Sequence, residues 1–320
     1  MSEYFFKVAE LPVTVSVPAG VDLLALLPNM RPFAGAPGET VMRIAVEETD
    51  ATIGQADAPG CVPTMWRLTD DSVSDLGRVR LFVKGTLRHN RMAAPMCNPT
   101  VMPEVESAEY LFVVEDDAGS EHRMLTDRRF ERCVAEVDFS SRRADQALDS
   151  LIRIAFSQAV LLHGGVSVHA SAVVNRGAGY MFLGASGTGK STHSRLWMEH
   201  IAGTELLNDD NPIVRRGGDG EWRVYGSPWS GKTPCYKQKS ASLRSVTRLR
   251  QAPQSRYRLC AGAGAFRTLL PSCSAIKQSA ELFGALCRTL SELAADVQVG
   301  ELDATMGPEA AREVILNLEF

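Results

Sequence analysis

A chain of 320 residues, 45% apolar and 22% charged, can bury a core; this excludes a disordered chain and leaves room for two domains. A net charge of −4 without a long basic run argues against nucleic acid or an anionic membrane as the main partner. The seven cysteines (Cys61, Cys97, Cys133, Cys235, Cys260, Cys273 and Cys287) include no CxxC pair, so neither a disulfide framework nor a structural zinc site is expected.

From the N-terminus, Met1–Lys7 lacks the basic-then-apolar design of a signal peptide, and Val21–Leu27 is too short to span a bilayer. A reduced, cytoplasmic protein is expected. Tyr4–Val17 carries alternating apolar positions, and Val41–Val46, Val79–Val83 and Tyr110–Val114 are short β-prone runs. Glu115–Ser120 predicts a hairpin turn; Pro59-Gly60 and Ala93–Pro103 predict loops. This half shows no chemical constellation. Residues 1–138 are therefore read as a β-rich accessory or substrate-selecting domain, with residues 139–320 as a second domain.

Beyond this boundary Ser140 or Ser141 can cap a helix whose apolar positions Ala144, Ala147, Leu148, Leu151 and Ala155 follow helical spacing. A strand is expected over Ser167–Val174 and another over Tyr180–Leu183, joined by a turn at Asn175–Gly179. A helix follows over Lys190–Ile201. Glu205–Leu207 predicts a short strand, and Ile213–Arg215 and Trp222–Tyr225 flank a turn at Gly217–Gly220. Later come a strand near Val246–Arg250, helices near Ala263–Leu269 and Ser279–Ala295, and a strand near Val297–Leu302. Pro308 is placed to open a final helix.

Gly184-Ala185-Ser186-Gly187-Thr188-Gly189-Lys190-Ser191-Thr192 fits G-x-x-x-x-G-K-[ST], between an expected strand and an expected helix. The glycines let the backbone curl and aim its N–H groups at phosphate oxygens, and the helix start adds its positive end. Lys190 can reach the β- and γ-phosphates of ATP, and Ser191 can offer its hydroxyl to Mg²⁺. Asn208-Asp209-Asp210 places adjacent carboxylates at the end of an apolar strand. A parallel neighbour of the glycine-loop strand would bring them to the same sheet edge. One aspartate can hold Mg²⁺ and the other can accept a proton from a hydroxyl nucleophile. His163, His193 and His200 read as structural or surface residues; the arginines at 244, 248, 250, 256 and 258 could clamp a phosphate, but alternating arginines on a strand read first as a solvated face.

His169–Val174, the glycine loop and Asn208-Asp209-Asp210, in this order, resemble the catalytic domain of HPr kinase/phosphorylase. The resemblance covers roughly residues 160–230. It implies an α/β (α+β) fold in which a mixed sheet carries a P-loop, as in phosphoenolpyruvate carboxykinase. By the resemblance Ser191 and Asp209 would serve Mg²⁺, Asp210 would be the base toward a hydroxyl, and His169 would sit near the transferred phosphate. That family's downstream P-V-R-P-G-R-N-like loop is missing. Tyr225–Pro234 stands in a comparable place; its Ser227, Trp229 and Lys232 are candidates for contacting substrate, the alternative being an ordinary Pro/Gly loop with a packed Trp229. Neither HPr as substrate nor reverse phosphorylase activity is carried over.

The expectation is an ATP- and Mg²⁺-dependent kinase (a phosphotransferase), with a protein or peptide serine or a small alcohol as acceptor. The N-terminal domain would select the acceptor or drive homo-oligomerisation. One rival is a carboxykinase-like enzyme, for which the chain is short. Another is a non-catalytic nucleotide sensor.

Overall fold

The computed structural model describes residues 1–49, 66–74, 77–84, 109–231 and 233–318. Lys232, Cys61, Cys97 and the loops expected at Pro59-Gly60 and Ala93–Pro103 lie outside the described residues. The chain divides into two compact units. The first holds Met1–Phe6, Pro12–Pro28 and Gly35–Ala159; the second holds Lys7–Leu11, Asn29–Ala34 and Val160–Phe320.

The stretch Tyr4–Val17 forms two strands, β1 (Ser2–Val8) and β2 (Leu11–Val17), because Ala9 and Glu10 take positive φ and turn the chain between them. Asp22 then caps a one-turn helix, α1 (Leu23–Leu26), by accepting the N–H groups of Leu24 and Ala25. The remaining elements of the first unit are β3 (Met42–Glu48), β4 (Trp66–Ser74), β5 (Gly77–Lys84), β6 (Tyr110–Glu115), β7 (Glu121–Thr126), β8 (Arg132–Val137) and α2 (Ala144–Ala159). Its sheet runs β1-β2-β3-β8-β7-β6-β5-β4, with β3 parallel to both β2 and β8 and the meander β4–β8 antiparallel. The apolar positions that predict α2 are all buried or nearly so, as one face of a helix requires. By contact, α2 packs within this first unit, whereas the sequence reading places it after the boundary.

The hairpin turn expected at Glu115–Ser120 is present, and its Asp116 carboxylate is saturated. Asp116 accepts N–H groups from Ala118 (2.8 Å) and Ser120 (2.9 Å) and the Ser141 hydroxyl, and lies 3.3 Å from Nε2 of the fully buried His122. Burial pushes the carboxyl pKa up, but these hydrogen bonds outweigh it and hold the group at about 2.

The second unit carries β9 (Gly165–Ser167), β10 (Ala170–Asn175), β11 (Ala178–Leu183), α3 (Lys190–His200), β12 (Thr204–Asp210), β13 (Ile213–Arg216), β14 (Trp222–Tyr225), β15 (Ser240–Gln251), β16 (Arg256–Cys260), α4 (Ala263–Leu269), α5 (Ala280–Asp296), β17 (Gln298–Ala304) and α6 (Pro308–Leu316). The sheet order is β12-β10-β11-β15-β14-β13-β9, with β17 also on β15 and β16 on β17. β15 runs parallel to β11 and β17 and antiparallel to β14, so both sheets of the molecule are mixed and the fold is α+β. Val173, Phe182, Trp197, Leu249, Leu302 and Val314 form a buried core shared by the sheet, α3 and α6. Ser279 caps α5 through the N–H of Leu282, and Pro308 opens α6.

The single strand expected over Ser167–Val174 is broken at His169. β9 pairs with β13, while β10 pairs with β11 and β12, so the chain must change partners. The bend is pinned by Val168 N–H on Pro212 O (3.1 Å) and His169 N–H on Ser272 O (2.8 Å). Cys133, Cys235, Cys260, Cys273 and Cys287 are free thiols. Among the described residues no helix is long and apolar enough to cross a membrane.

Candidate functional site

Strand direction decides what meets at the working edge of the second sheet. β11 is antiparallel to β10, and β10 is antiparallel to β12, so β11 and β12 point the same way. Ala170 is in register with Leu183 on one side and Asp210 on the other. The glycine loop leaves β11 directly after Leu183, and Asp209-Asp210 end β12. The acid strand is therefore the second neighbour of the loop strand, and not the adjacent one that the sequence reading assumes. β10 fills the slot between because the tight turn at Arg176-Gly177 folds it back on β11. Two strand spacings, about 10 Å, separate the two ends.

Gly184, Gly187 and Gly189 all take positive φ, and Gly189 is the N-terminal cap of α3. Within the loop Thr188 donates to Ala185 O through its N–H (3.2 Å) and its hydroxyl (2.7 Å). The N–H groups of Ser186, Gly187, Gly189 and Lys190 have no backbone partner among the described residues, leaving a concentration of donors at a helix start. Lys190 Nζ donates to Gly184 O (3.0 Å) and Ala185 O (3.4 Å), and Gln251 ties the loop tip by donating to Gly187 O (3.2 Å). Ser191 is exposed on the first turn of α3 and Thr192 is half-buried. Ser194 anchors that turn to β10 through a 2.6 Å contact with Ser171 Oγ.

Asn208 organises the acid pair. Its side-chain oxygen accepts the N–H groups of Asp210 (3.0 Å) and Asn211 (2.9 Å), and its amide donates to Trp229 O (3.0 Å), Ser227 Oγ (3.2 Å) and Ser227 O (3.3 Å). The motif alone gives Asn208 no role; the signal in the sequence is an asparagine directly before two acids at the end of an apolar strand. Asp209 is buried, and its Oδ1 has no hydrogen-bond partner among the described residues. Asp210 is half-exposed, with Oδ1 3.5 Å from Nε2 of the exposed His169.

The segment after β14 lies directly against the aspartates. Gly231 N–H donates to Asp209 O (3.1 Å), and Ser230 bridges Asp210. A Cβ at Gly231 would sit 2.8 Å from Asp209 O, so only glycine allows that approach. Ser227 is fully buried, with its hydroxyl near Asn211 O (2.7 Å) and Trp229 O (3.1 Å); Trp229 is buried as well. Both brace the segment from inside, so its accessible surface is offered by Ser230 and Gly231.

Lys190 senses this arrangement. Half-burial lowers its pKa, the carboxylates of Asp210 and Asp209 pull it back up, and the Arg248 guanidinium opposes them. Lysine and acid pair thus share one electrostatic neighbourhood. Arg248 departs from the solvated-face reading of the arginines. It pairs in register with Leu183 and donates to Thr268 O (2.9 Å through Nε) and Ser272 Oγ (3.1 Å). Arg250 and Arg258 do face solvent, against Glu301 and Asp303. His193 is buried, accepts from Trp197 Nε1 (3.1 Å) and is pushed down to about 3 by burial, as a packing residue.

No protein-family model matches the chain, and neither does any curated protein. Among solved structures, the HPr(Ser) kinase/phosphatase from Coxiella burnetii matches at 12% identity and a TM-score of 0.29, over 48% of this chain and 99% of that one. At that score the likeness decides neither fold type nor activity.

Proposed function

We propose that the second unit is an ATP- and Mg²⁺-dependent kinase of the HPr kinase-like type, transferring the γ-phosphoryl group to a hydroxyl. The observation that carries this reading is the buried Asp209 Oδ1, without a hydrogen-bond partner among the described residues, beside Asp210 and in the electrostatic reach of the lysine of a glycine-rich, amide-lined loop. An orphaned buried carboxylate oxygen is costly unless something cationic occupies its face. Asp209 and Ser191 would hold Mg²⁺. Mg²⁺ takes hard oxygen ligands and is commonly bound by one or two carboxylates together with substrate phosphates. When bound it neutralises charge on the phosphates.

The chain's own groups supply the rest. Backbone N–H groups of the loop and Lys190 hold the triphosphate and stabilise charge developing on the γ-phosphoryl oxygens. Asp210 takes the proton of the acceptor hydroxyl as the new oxygen–phosphorus bond forms and the bond to the β-phosphate oxygen breaks. His169, against Asp210, orients that carboxylate and the incoming group. Ser230 and Gly231, flanking the acids, would form one wall of the acceptor site, with Lys232 next in sequence. The first unit would select the acceptor.

The decisive experiment adds the protein and γ-labelled ATP to a lysate and identifies what becomes labelled. Labelling of a serine-bearing peptide, protein or small alcohol, lost in Lys190→Ala, supports the reading. Release of free phosphate with no labelled acceptor, or binding without turnover, favours a nucleotide sensor. ATP-dependent consumption of oxaloacetate favours a carboxykinase.

A further inference from the structure

The turn between β10 and β11 has two central residues, Arg176 and Gly177, both at positive φ (49° and 82°). Tight hairpins of this kind favour Asn-Gly, because a Cβ crowds the following carbonyl oxygen in left-handed backbone, glycine has none, and asparagine offsets the strain with a local hydrogen bond.

Arg176 lines a cleft of about 340 Å³ together with His200, Ile201, Arg312, Ile315 and Leu316. The cleft lies at the C-terminal end of α3, the end opposite the glycine loop. An 11-residue helix sets the two about 16 Å apart. Ile201 and Ile315 are half-buried, and Leu316 stands 57% exposed at the rim, so the cleft presents apolar surface. Its wall is firm, since Asn175 Nδ2 donates to Ala202 O (3.0 Å) and Thr204 Oγ1 (2.9 Å).

The charged residues that line the cleft are basic. Arg176 makes no hydrogen bond or ion pair among the described residues. Arg312 interacts electrostatically with Glu309, whose carboxylate is held first by the Thr305 hydroxyl. His200 lies 3.9 Å from Glu199, which Arg195 also engages at 3.7 Å. Two arginines lining one cleft with isoleucine and leucine suit a molecule with one charged end and one hydrocarbon end.

We infer that this cleft binds a small organic anion, a carboxylate or a phosphate ester, whose charge meets Arg176 and Arg312 and whose apolar body rests on Ile201, Ile315 and Leu316. It shares no residue with the proposed kinase site. Calorimetric titration with 1-naphthoate and 1-naphthyl phosphate tests it, with acetate and 1-naphthalenemethanol supplying each half alone. At least one of the two anions should bind, and each half alone should bind at least about tenfold more weakly. The preferred anion identifies the charged group. Arg176→Asn and Arg312→Gln should each weaken binding by about tenfold. Because asparagine suits this turn, Arg176→Asn should keep or raise the melting temperature, separating lost recognition from lost folding. Binding must persist in Lys190→Ala, which excludes the glycine loop as the site. The inference is overturned if neither anion binds at millimolar concentration, if Arg176→Asn binds as tightly as the parent, or if binding disappears in Lys190→Ala.

Discussion

Asp116 in the first unit and Asp209 in the second are both buried and have opposite surroundings. Asp116 accepts two backbone N–H groups and a serine hydroxyl and lies beside a buried histidine. Asp209 keeps an oxygen, Oδ1, with no hydrogen-bond partner among the described residues. A carboxylate whose hydrogen bonds are complete stabilises the fold around it and has nothing left to offer a ligand. One left incomplete costs the fold stability and is a binding surface in waiting. The contrast separates acids that hold the hairpin at the start of α2 from acids placed for chemistry.

The comparison predicts that substitutions around Asp209 change turnover while those around Asp116 change stability. The largest effect is expected from Lys190→Ala, which should lower kcat/KM for ATP by about a thousandfold or more while leaving the melting temperature within a few degrees. Asp210→Asn should lower phosphoryl transfer by about a hundred- to a thousandfold with nucleotide affinity nearly unchanged, checked by equilibrium nucleotide binding beside a transfer assay. Transfer retained in this variant would remove Asp210 as the base.

Asp116→Asn should cost the first unit about 1–3 kcal/mol, read as faster hydrogen exchange in β6, β7 and β8, with turnover unaffected. Its pH dependence has a definite sign. The folded-state pKa, about 2, lies below the ordinary value of 3.8, so the carboxylate's contribution is complete above about pH 4 and fades as pH falls toward 2. The difference between parent and variant should shrink over that window. A constant difference would mean that the charge is irrelevant.

The smallest effect is expected from Asp209→Asn. It should raise the Mg²⁺ requirement of ATP turnover by about tenfold without lowering stability, because it neutralises a buried carboxylate whose Oδ1 has no hydrogen-bond partner among the described residues. A melting temperature that falls as far as in Asp116→Asn would erase the distinction between the two acids.

Much of the second unit was legible from local pattern. α3 begins at Lys190 and α6 at Pro308, where glycine and proline punctuation place them. What local pattern could not supply was partner choice. The run Ser167–Val174 reads as one strand, yet its two halves pair with different strands, and only tertiary pairing reveals the bend at His169. β12 reads as a parallel neighbour of the loop strand because sequence carries no sign that β10 will insert between them. β4, β8 and β16 went unseen as separate strands, since polar and charged residues dilute their alternation. At the site, the glycine loop and acid pair were visible as residue types. The burial of Ser227 and Trp229, the clamp by Asn208 and the inward placement of Arg248 depend on segments distant in sequence.

Membership of the second unit is not continuous along the chain, and this constrains how the protein can be dissected. Lys7–Leu11 and Asn29–Ala34 belong to it: Ala9 O accepts from Arg215 (3.2 Å), and Asn29 Nδ2 donates to Pro228 O (3.1 Å) behind the segment that flanks the aspartates. A fragment excised at residue 139 would leave those groups bare. Deletion mapping by a single cut would then report a folding defect in the guise of a missing domain, and recombinant work should keep the first thirty-four residues covalently or non-covalently present.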